Sequence, residues 1–309
     1  MSTILITGGT GLIGKALTTM LLEKGHQLVI LSRSIRKSTN SNVTYALWDV
    51  KQQTIDAIAI SEADYIIHLA GAGVADKRWS EKRKKEIRES RTQSSALLVN
   101  ALKNNINKVK AVISASATGW YGENGNQSSV KKQFTEEKHA APDFLGETCR
   151  LWEASIEPVT ELGIRLVKLR TGIVFSNDGG AFVEFIKPLK MGIAAVLGSG
   201  QQIISWIHIE DLCRIYLFAL ENDEINGAYN AVAPMPVSNN VLMMLLAKKI
   251  KGKFFIPMHV PSFLLKIILG EMSIEVLKSA SVSATKIKDA GFNFLYPSIE
   301  AATSELINK

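Results

Sequence analysis

Thr7-Gly8-Gly9-Thr10-Gly11-Leu12-Ile13-Gly14 is the stretch whose reading decides the fold. It follows the apolar run Ile4–Thr7 and opens a segment in which Ile13, Leu17, Met20 and Leu21 recur at helical spacing. Glycines 8, 11 and 14 stand at GxxGxxG spacing. A chain that leaves a strand, turns sharply and enters a helix against a pyrophosphate needs such gaps, because a Cβ would block the turn or the approach. The helix start then presents free N–H groups and a positive dipole end. Placed between a strand and an amphipathic helix, the pattern predicts a dinucleotide site built on Gly8, Thr10, Gly11, Leu12, Ile13 and Gly14.

The second strand, Gln27–Leu31, runs into Leu31-Ser32-Arg33-Ser34. An NAD site usually places Asp or Glu here to hold the ribose 2′-hydroxyl. Ser32 and Arg33 instead offer a hydroxyl and a guanidinium, which suit a 2′-phosphate, and Arg36 and Lys37 add positive charge. The expected cofactor is NADP, with NAD second. The competing reading of Arg33 is a solvated loop residue.

Further outward, Val43–Leu47, Tyr65–Leu69, Val109–Ser114 and Ile164–Leu169 read as buried strands. Between them fall a helix capped by Ser80 and running to about Lys103, and a helix over Phe144–Leu162 stopped by Gly163. Such alternation predicts an α/β, Rossmann-like, doubly wound parallel sheet. After Arg170 the rhythm weakens, although Leu212, Ile215, Tyr216, Ala219 and Leu220 mark an amphipathic helix. From Pro234 the segments are short and mostly helical. The expected division is a nucleotide-binding domain over 1–233 and a small, mostly helical C-terminal cap over 234–309, with parts of 171–233 joining the substrate lobe.

Composition sets the limits. The 309 residues are 46% hydrophobic and 21% charged, a globular balance. Cys149 and Cys213 are 64 residues apart with no CxxC, so no metal site is expected, and reduced cytoplasmic thiols are. The best apolar candidate, Phe254–Leu269, is interrupted by Pro257, Pro261 and Lys266, so neither a membrane span nor a membrane partner is expected. The net charge of +7 suits an anionic ligand without indicating nucleic acid. Lys77–Arg91 carries eight basic residues interleaved with Glu81, Glu86 and Glu89, and reads as a solvated helix face. HExxH, GxSxG and Walker A patterns are absent. A small-molecule substrate and a monomer or homodimer are expected.

Taken together, TGGTGLIG at 7–14, HLAGAG at 68–73 and SASATGWYG at 114–122 resemble the extended short-chain dehydrogenase/reductase superfamily. RWSEKRKKEIRESR at 78–91, DFLGETCRLWE at 143–153, LRTGIVFSNDGGA at 169–181, GSGQQIISWIHIEDL at 198–212 and the late GEM at 270–272 resemble its atypical "epimerase family" group, sometimes labelled cell-division inhibitor. The resemblance covers nearly the whole chain. It implies that Leu69, Ala70, Gly71 and Ala72 lie under the cofactor, with Asp49 and Ser114 beside it. It also implies that Trp79, with Arg78, folds over the substrate pocket, and that Thr118, Cys149 and His208 border it. For Asp49 a solvated turn, and for His208 a scaffold role, stay open.

The superfamily pairs a Ser with a YxxxK. Ser116 fits the first position, but aligning Glu153 on the superfamily's Glu places Leu145 and Cys149 at the Tyr and Lys positions. Sliding by one gives Phe144 and Thr148, and neither register supplies an acid or a cation. Leucine has no proton to give. Tyr121 and Glu147 are the expected substitutes, the latter if burial raises its pKa; Cys149 as a nucleophile is a third, against a buried cysteine that only packs. The resemblance thus implies an NADP-dependent oxidoreductase or epimerase-like enzyme on a small polar carbonyl or alcohol compound. The alternative is an NADP-binding sensor or regulatory protein without turnover.

Overall fold

The computed structural model describes residues 1–34, 36–124 and 133–308. In its first half, strands β1 (Thr3–Thr7), β2 (Gln27–Ser32), β3 (Val43–Asp49), β4 (Thr54–Ile55), β5 (Tyr65–His68), β6 (Ala111–Ala117) and β7 (Arg165–Thr171) alternate with helices α1 (Leu12–Glu23), α2 (Ala57–Glu62), α3 (Glu81–Asn104) and α4 (Phe144–Ile156). Ser80 caps α3, its hydroxyl accepting from the Arg83 N–H at 3.2 Å. Asp143 caps α4 through the Gly146 N–H at 2.8 Å. α4 ends earlier than the apolar periodicity predicts, because Pro158 lacks an N–H for the α-helical ladder. The chain continues as a 3-10 helix to Leu162 and closes on Gly163 at φ +74°.

The second half holds β8 (Ile173–Phe175), α5 (Ala181–Lys190), β9 (Ile193–Leu197), β10 (Ile203–Ile204), β11 (Trp206–His208), α6 (Ile209–Glu221), β12 (Gly227–Ala231), β13 (Val237–Ser238), α7 (Asn239–Lys251) and β14 (Ile256–Val260). Helices α8 (Ser262–Leu269), α9 (Ser273–Leu277), α10 (Thr285–Asp289) and α11 (Ile299–Asn308) follow.

One sheet takes the order β12-β7-β6-β5-β1-β2-β3-β4, parallel except for β4. Alternation along β1 feeds both faces. Ile4 and Ile6 pack with Leu17 and Leu21 of α1, while Leu5 packs with Ile66, Leu98 and Ile156. This is the expected doubly wound Rossmann architecture. The chain reverses its direction of winding at β1, which opens a crevice beyond the carboxyl ends of β1, β2 and β5.

The cores do not divide at 233/234. A third core joins Phe175, Phe182 and Trp206 to Leu242, Leu246 and Leu306. Val282, Ala284, Ile287 and Phe292, by contrast, pack into the first core. The C-terminal cap is helical as expected, but two strands of the later chain, β12 and β14, carry no clear sequence signal. Among the described residues no helix is long and apolar enough to cross a membrane.

Candidate cofactor cleft and catalytic centre

The end of β1 is locked to the end of β5. Thr7 Oγ1 accepts from the N–H groups of Leu69 at 3.0 Å and Ala70 at 3.1 Å, and lies 2.8 Å from His68 Nδ1. His68 is fully buried, its other ring nitrogen 3.1 Å from Ser95 Oγ, and burial pushes its pKa down to about 3. It is a neutral strand-end strut. Gly8, at φ +68°, passes so close to β5 that a Cβ would lie 3.0 Å from the Leu69 carbonyl. At Gly14 a Cβ would stand 2.5 Å from Gly9 Cα, so α1 can press onto the loop only without a side chain. α1 starts at Gly11 with no side-chain cap and no acidic residue in its first turn. Its leading N–H groups therefore face the crevice with a positive dipole end, the arrangement that holds a pyrophosphate.

That crevice is a cleft of about 1120 Å³. Gly8, Thr10 and Gly11 form its floor, and Ser32, Arg33, Arg36, Trp48 and Asp49 its adenosine side. Leu69, Ala70, Gly71 and Ala72 line the wall under β5. Leu12, Ile13, Gly14 and Ser114 do not line it. Ser114 is buried in β6, its Oγ 3.3 Å from the Ala115 carbonyl. Ser32 is buried and Arg33 exposed. Asp49 uses Oδ1 to accept from the N–H groups of Lys51 at 2.8 Å and Gln52 at 3.1 Å, closing its own turn. A neighbouring hollow of about 570 Å³ shares Thr10 and Arg36 and adds Lys15 and Tyr45.

The basic stripe of α3 is the solvated face its composition predicts only in part: Lys82, Lys85 and Arg88 are exposed, and Lys85 pairs with Glu89. Lys82 and Lys85 line the cleft. Arg83 and Arg91 are buried. Arg83 donates to the Gly73 carbonyl at 2.5 Å and to Glu86 at 2.7 Å. Arg91 donates to the Ala72 carbonyl at 3.0 Å and lies 4.9 Å from the Trp152 ring centre. Both guanidiniums brace the loop that walls the cofactor cleft. A sequence signal existed: Arg83, Ile87, Arg91, Ser94 and Leu98 fall on one helical stripe.

Ser116 and Tyr121 are joined through residues whose part the sequence left open. Ser116 Oγ donates to Glu153 Oε1 at 2.7 Å. Arg170 holds both oxygens of Glu153, Nε at 2.8 Å and Nη2 at 3.0 Å, and donates from Nη1 to Tyr121 Oη at 3.1 Å. Tyr121 Oη in turn donates to Asn230 Oδ1 at 2.7 Å. The Arg170 guanidinium lies over the Trp120 ring at 3.6 Å. The chain of groups is closed and dry: Ser116 is 3% exposed, Arg170 3% and Tyr121 0%. Burial pushes the Tyr121 phenol up to about 12, in spite of Arg170 beside it.

Glu147 is a correction. Burial does not raise its pKa; hydrogen bonds from Arg150 at 2.7 and 2.6 Å hold its carboxyl below the usual range. The side chain lies off the buried face of α4, which carries Gly146, Cys149, Trp152, Glu153 and Ile156. Cys149 is buried, and desolvation pushes its thiol up to about 12, in spite of Arg91 nearby. Thr118 opens the single-turn 3-10 helix to Trp120. A Cβ on Gly119 would touch Leu145 at 3.2 Å, so a leucine packs on this turn.

Trp79 donates to the Val74 carbonyl at 2.9 Å and meets Phe144 edge-on at 4.9 Å. His208 is brought elsewhere. It caps α6, faces Glu305 of α11 at 2.9 Å and lies 3.9 Å from the Tyr296 ring. The late GEM segment reaches back over the site: Glu271 pairs with Lys84, and Lys278 bonds Asp143 at 2.8 Å and Glu275 at 2.7 Å. Among the described residues no His, Cys, Asp and Glu side chains cluster as metal ligands.

A parallel sheet reversing at β1, a glycine cradle at the switch point and a serine at the end of β6 define the extended short-chain dehydrogenase/reductase class. The chain belongs to the NAD dependent epimerase/dehydratase family, whose profile matches residues 4–231, and a domain of unknown function, DUF1731, matches residues 260–306. It is 35% identical to the epimerase family protein YfhF of Bacillus subtilis (strain 168), over 98% of this chain and 97% of that one. Identity is also 35% to the epimerase family protein SAR0825 of Staphylococcus aureus (strain MRSA252), over the full length of both. The solved structure of human epimerase family protein SDR39U1 with NADPH superposes at a TM-score of 0.85 with 26% identity, covering 99% of each chain.

Proposed function

We propose that this chain binds NADP(H) in the cleft and acts as an epimerase- or reductase-like oxidoreductase on a small polar carbonyl or alcohol compound. One observation carries the cofactor choice. The end of β2 offers Ser32 and Arg33, with Arg36 close by, and the nearest carboxylate, Asp49, is engaged by its own turn. The end of β2 itself carries no acid to hold a ribose 2′-hydroxyl, and two guanidiniums line the cleft for a 2′-phosphate. The NADPH held by the human relative supports this reading.

Bound NADP(H) supplies or accepts a hydride at its nicotinamide ring. This chain's own residues do the rest. Thr10–Gly14 hold the pyrophosphate, Ala70–Ala72 allow close approach, and Arg83 and Arg91 keep that wall in place. Ser116 is the residue to which the superfamily resemblance gives the orienting of the reacting oxygen. Because its proton already points at Glu153, Oγ is polarised to accept a proton from a substrate hydroxyl and pass its own to the carboxylate. The relay favours alcohol oxidation, with Arg170 holding Glu153 in place.

The enclosure of Ser116 and Tyr121 favours a second reading, a binding protein that senses NADP(H) without turnover. The two separate on a panel of aldehydes, ketones and alcohols. Firm NADPH binding with no turnover of any compound selects the sensor.

Arg33→Asp tests the cofactor assignment by calorimetry. NADP affinity is expected to fall about tenfold or more, the worth of one charged hydrogen bond, with NAD affinity little changed. Equal losses for both nucleotides would remove the 2′-phosphate assignment.

A further inference from the structure

The lobe built on the third core carries an apolar surface that no described element covers. Among the described residues β14 pairs only with β9, and in parallel. Ala194 and Val196 of β9 point into the third core. The alternate positions, Ile193, Ala195 and Leu197, point away from it, and their register partners Ile256, Met258 and Val260 share that outer face. Pro261 then leads straight into α8, where Leu265 is the one buried residue. Phe254, Ile256, Met258, Phe263, Ile267 and Ile268 are each between 47% and 87% exposed. Single exposed apolar residues are ordinary; a concentration such as this within one strand, one turn and one short helix marks a contact surface.

Charge is equally one-sided. From Ile225 to Gly270, 46 residues, there is no Asp or Glu and there are five Lys. Exposed lysines border the apolar side chains. Lys253 precedes Phe254, and Lys266 sits on α8 beside Ile267. The Ile256 N–H donates to the Gly192 carbonyl at 2.8 Å, which sets the end of α5, Lys190 and Met191, against the start of β14.

We propose that this face rests on an anionic lipid bilayer, with the apolar side chains of β14 and α8 entering the acyl boundary and the lysines meeting headgroup phosphates. The prolines that break Phe254–Leu269 as a span leave it shaped for interfacial contact, and α8, at 8 residues, only lies in the surface. A second copy of the chain fits worse, because two-fold pairing through this face sets lysine rim against lysine rim. Strand addition is blunted too. Ile256 directs its N–H to the β9 side, so position 257 faces outward, and Pro257 has no N–H to offer.

The test is flotation of the full chain with vesicles of phosphatidylcholine alone or with about 30% phosphatidylglycerol. Binding is expected to the anionic vesicles only, weakening as salt rises from about 0.05 to 0.5 M. The pairs Phe263→Asp with Ile267→Asp, and Lys190→Glu with Lys253→Glu, are each expected to cut partitioning about tenfold or more at an unchanged melting temperature. Absence of the native chain from anionic vesicles, or undiminished flotation of both variants, would overturn the proposal. So would a lipid-free dimer dissolved by Ile267→Asp, which would give the face to a second copy.

Discussion

Gly14 shows how little freedom a single position has here. A methyl group would enter the space of Gly8 and Gly9, both backbone, and neither can retreat without opening the β1–α1 turn. Gly14→Ala is expected to lower stability by about 1–3 kcal/mol and to weaken dinucleotide binding in parallel, read by thermal melts and NADPH fluorescence titration. The glycines were legible because their requirement is steric and local. Glu147 was not. Its fate depends on which side of α4 faces the sheet and on Arg150 three residues on, so one helical turn separates a buried acid from a surface ion pair. Ser116 was placed by resemblance, but its partner Glu153 could only be found once α4 and β6 lay side by side.

Between elements, the Glu153–Arg170 pair is the strongest tie, linking α4 to β7 with both side chains under 7% exposed. Arg170→Met would remove the paired guanidinium and leave the buried Glu153 carboxylate with the Ser116 hydroxyl at 2.7 Å and the Lys168 ammonium at 4.0 Å. A loss of about 3–5 kcal/mol is expected in urea denaturation, and Glu153→Gln with Arg170→Met together should recover much of it, because no uncompensated charge then remains. A double variant no better than the single one would show that the pair acts by packing rather than charge. At this scale the sequence spoke clearly where an element is long and capped: the Ser80 cap and the span of α3 stood in the chain itself. It was silent for β8, β10, β11 and β13, which have only two or three residues each and are held by partners far along the chain. A strand too short to show alternation has no periodicity to read.

Across the molecule, buried acids of low acidity, Cys149, Cys213, Tyr121 and Tyr216, set the alkaline limit. Cys149 and Cys213 are pushed by burial from 9.0 to about 12, and Tyr121 from 10.0 to about 12. The folded chain therefore keeps these protons where the unfolded chain has lost them. Their contribution is complete below about pH 9 and drains away as pH climbs toward 12, so the denaturation midpoint should fall steadily across that window. A midpoint that holds level between about pH 8.5 and 11 would contradict the burial of these groups.

The fold class was open to inspection because strand–helix alternation is a repeating local signal. The partition of the later chain was not, because which core a helix joins is a long-range fact. Val282, Ala284, Ile287 and Phe292 close the core begun by Ile4 and Ile6. On a ribosome, the half of the protein that carries the glycine cradle thus stays unfinished until Phe292 has been added. A growing chain must keep its first sheet partly uncovered throughout synthesis, which makes this a protein whose birth, more than its mature state, calls for a chaperone.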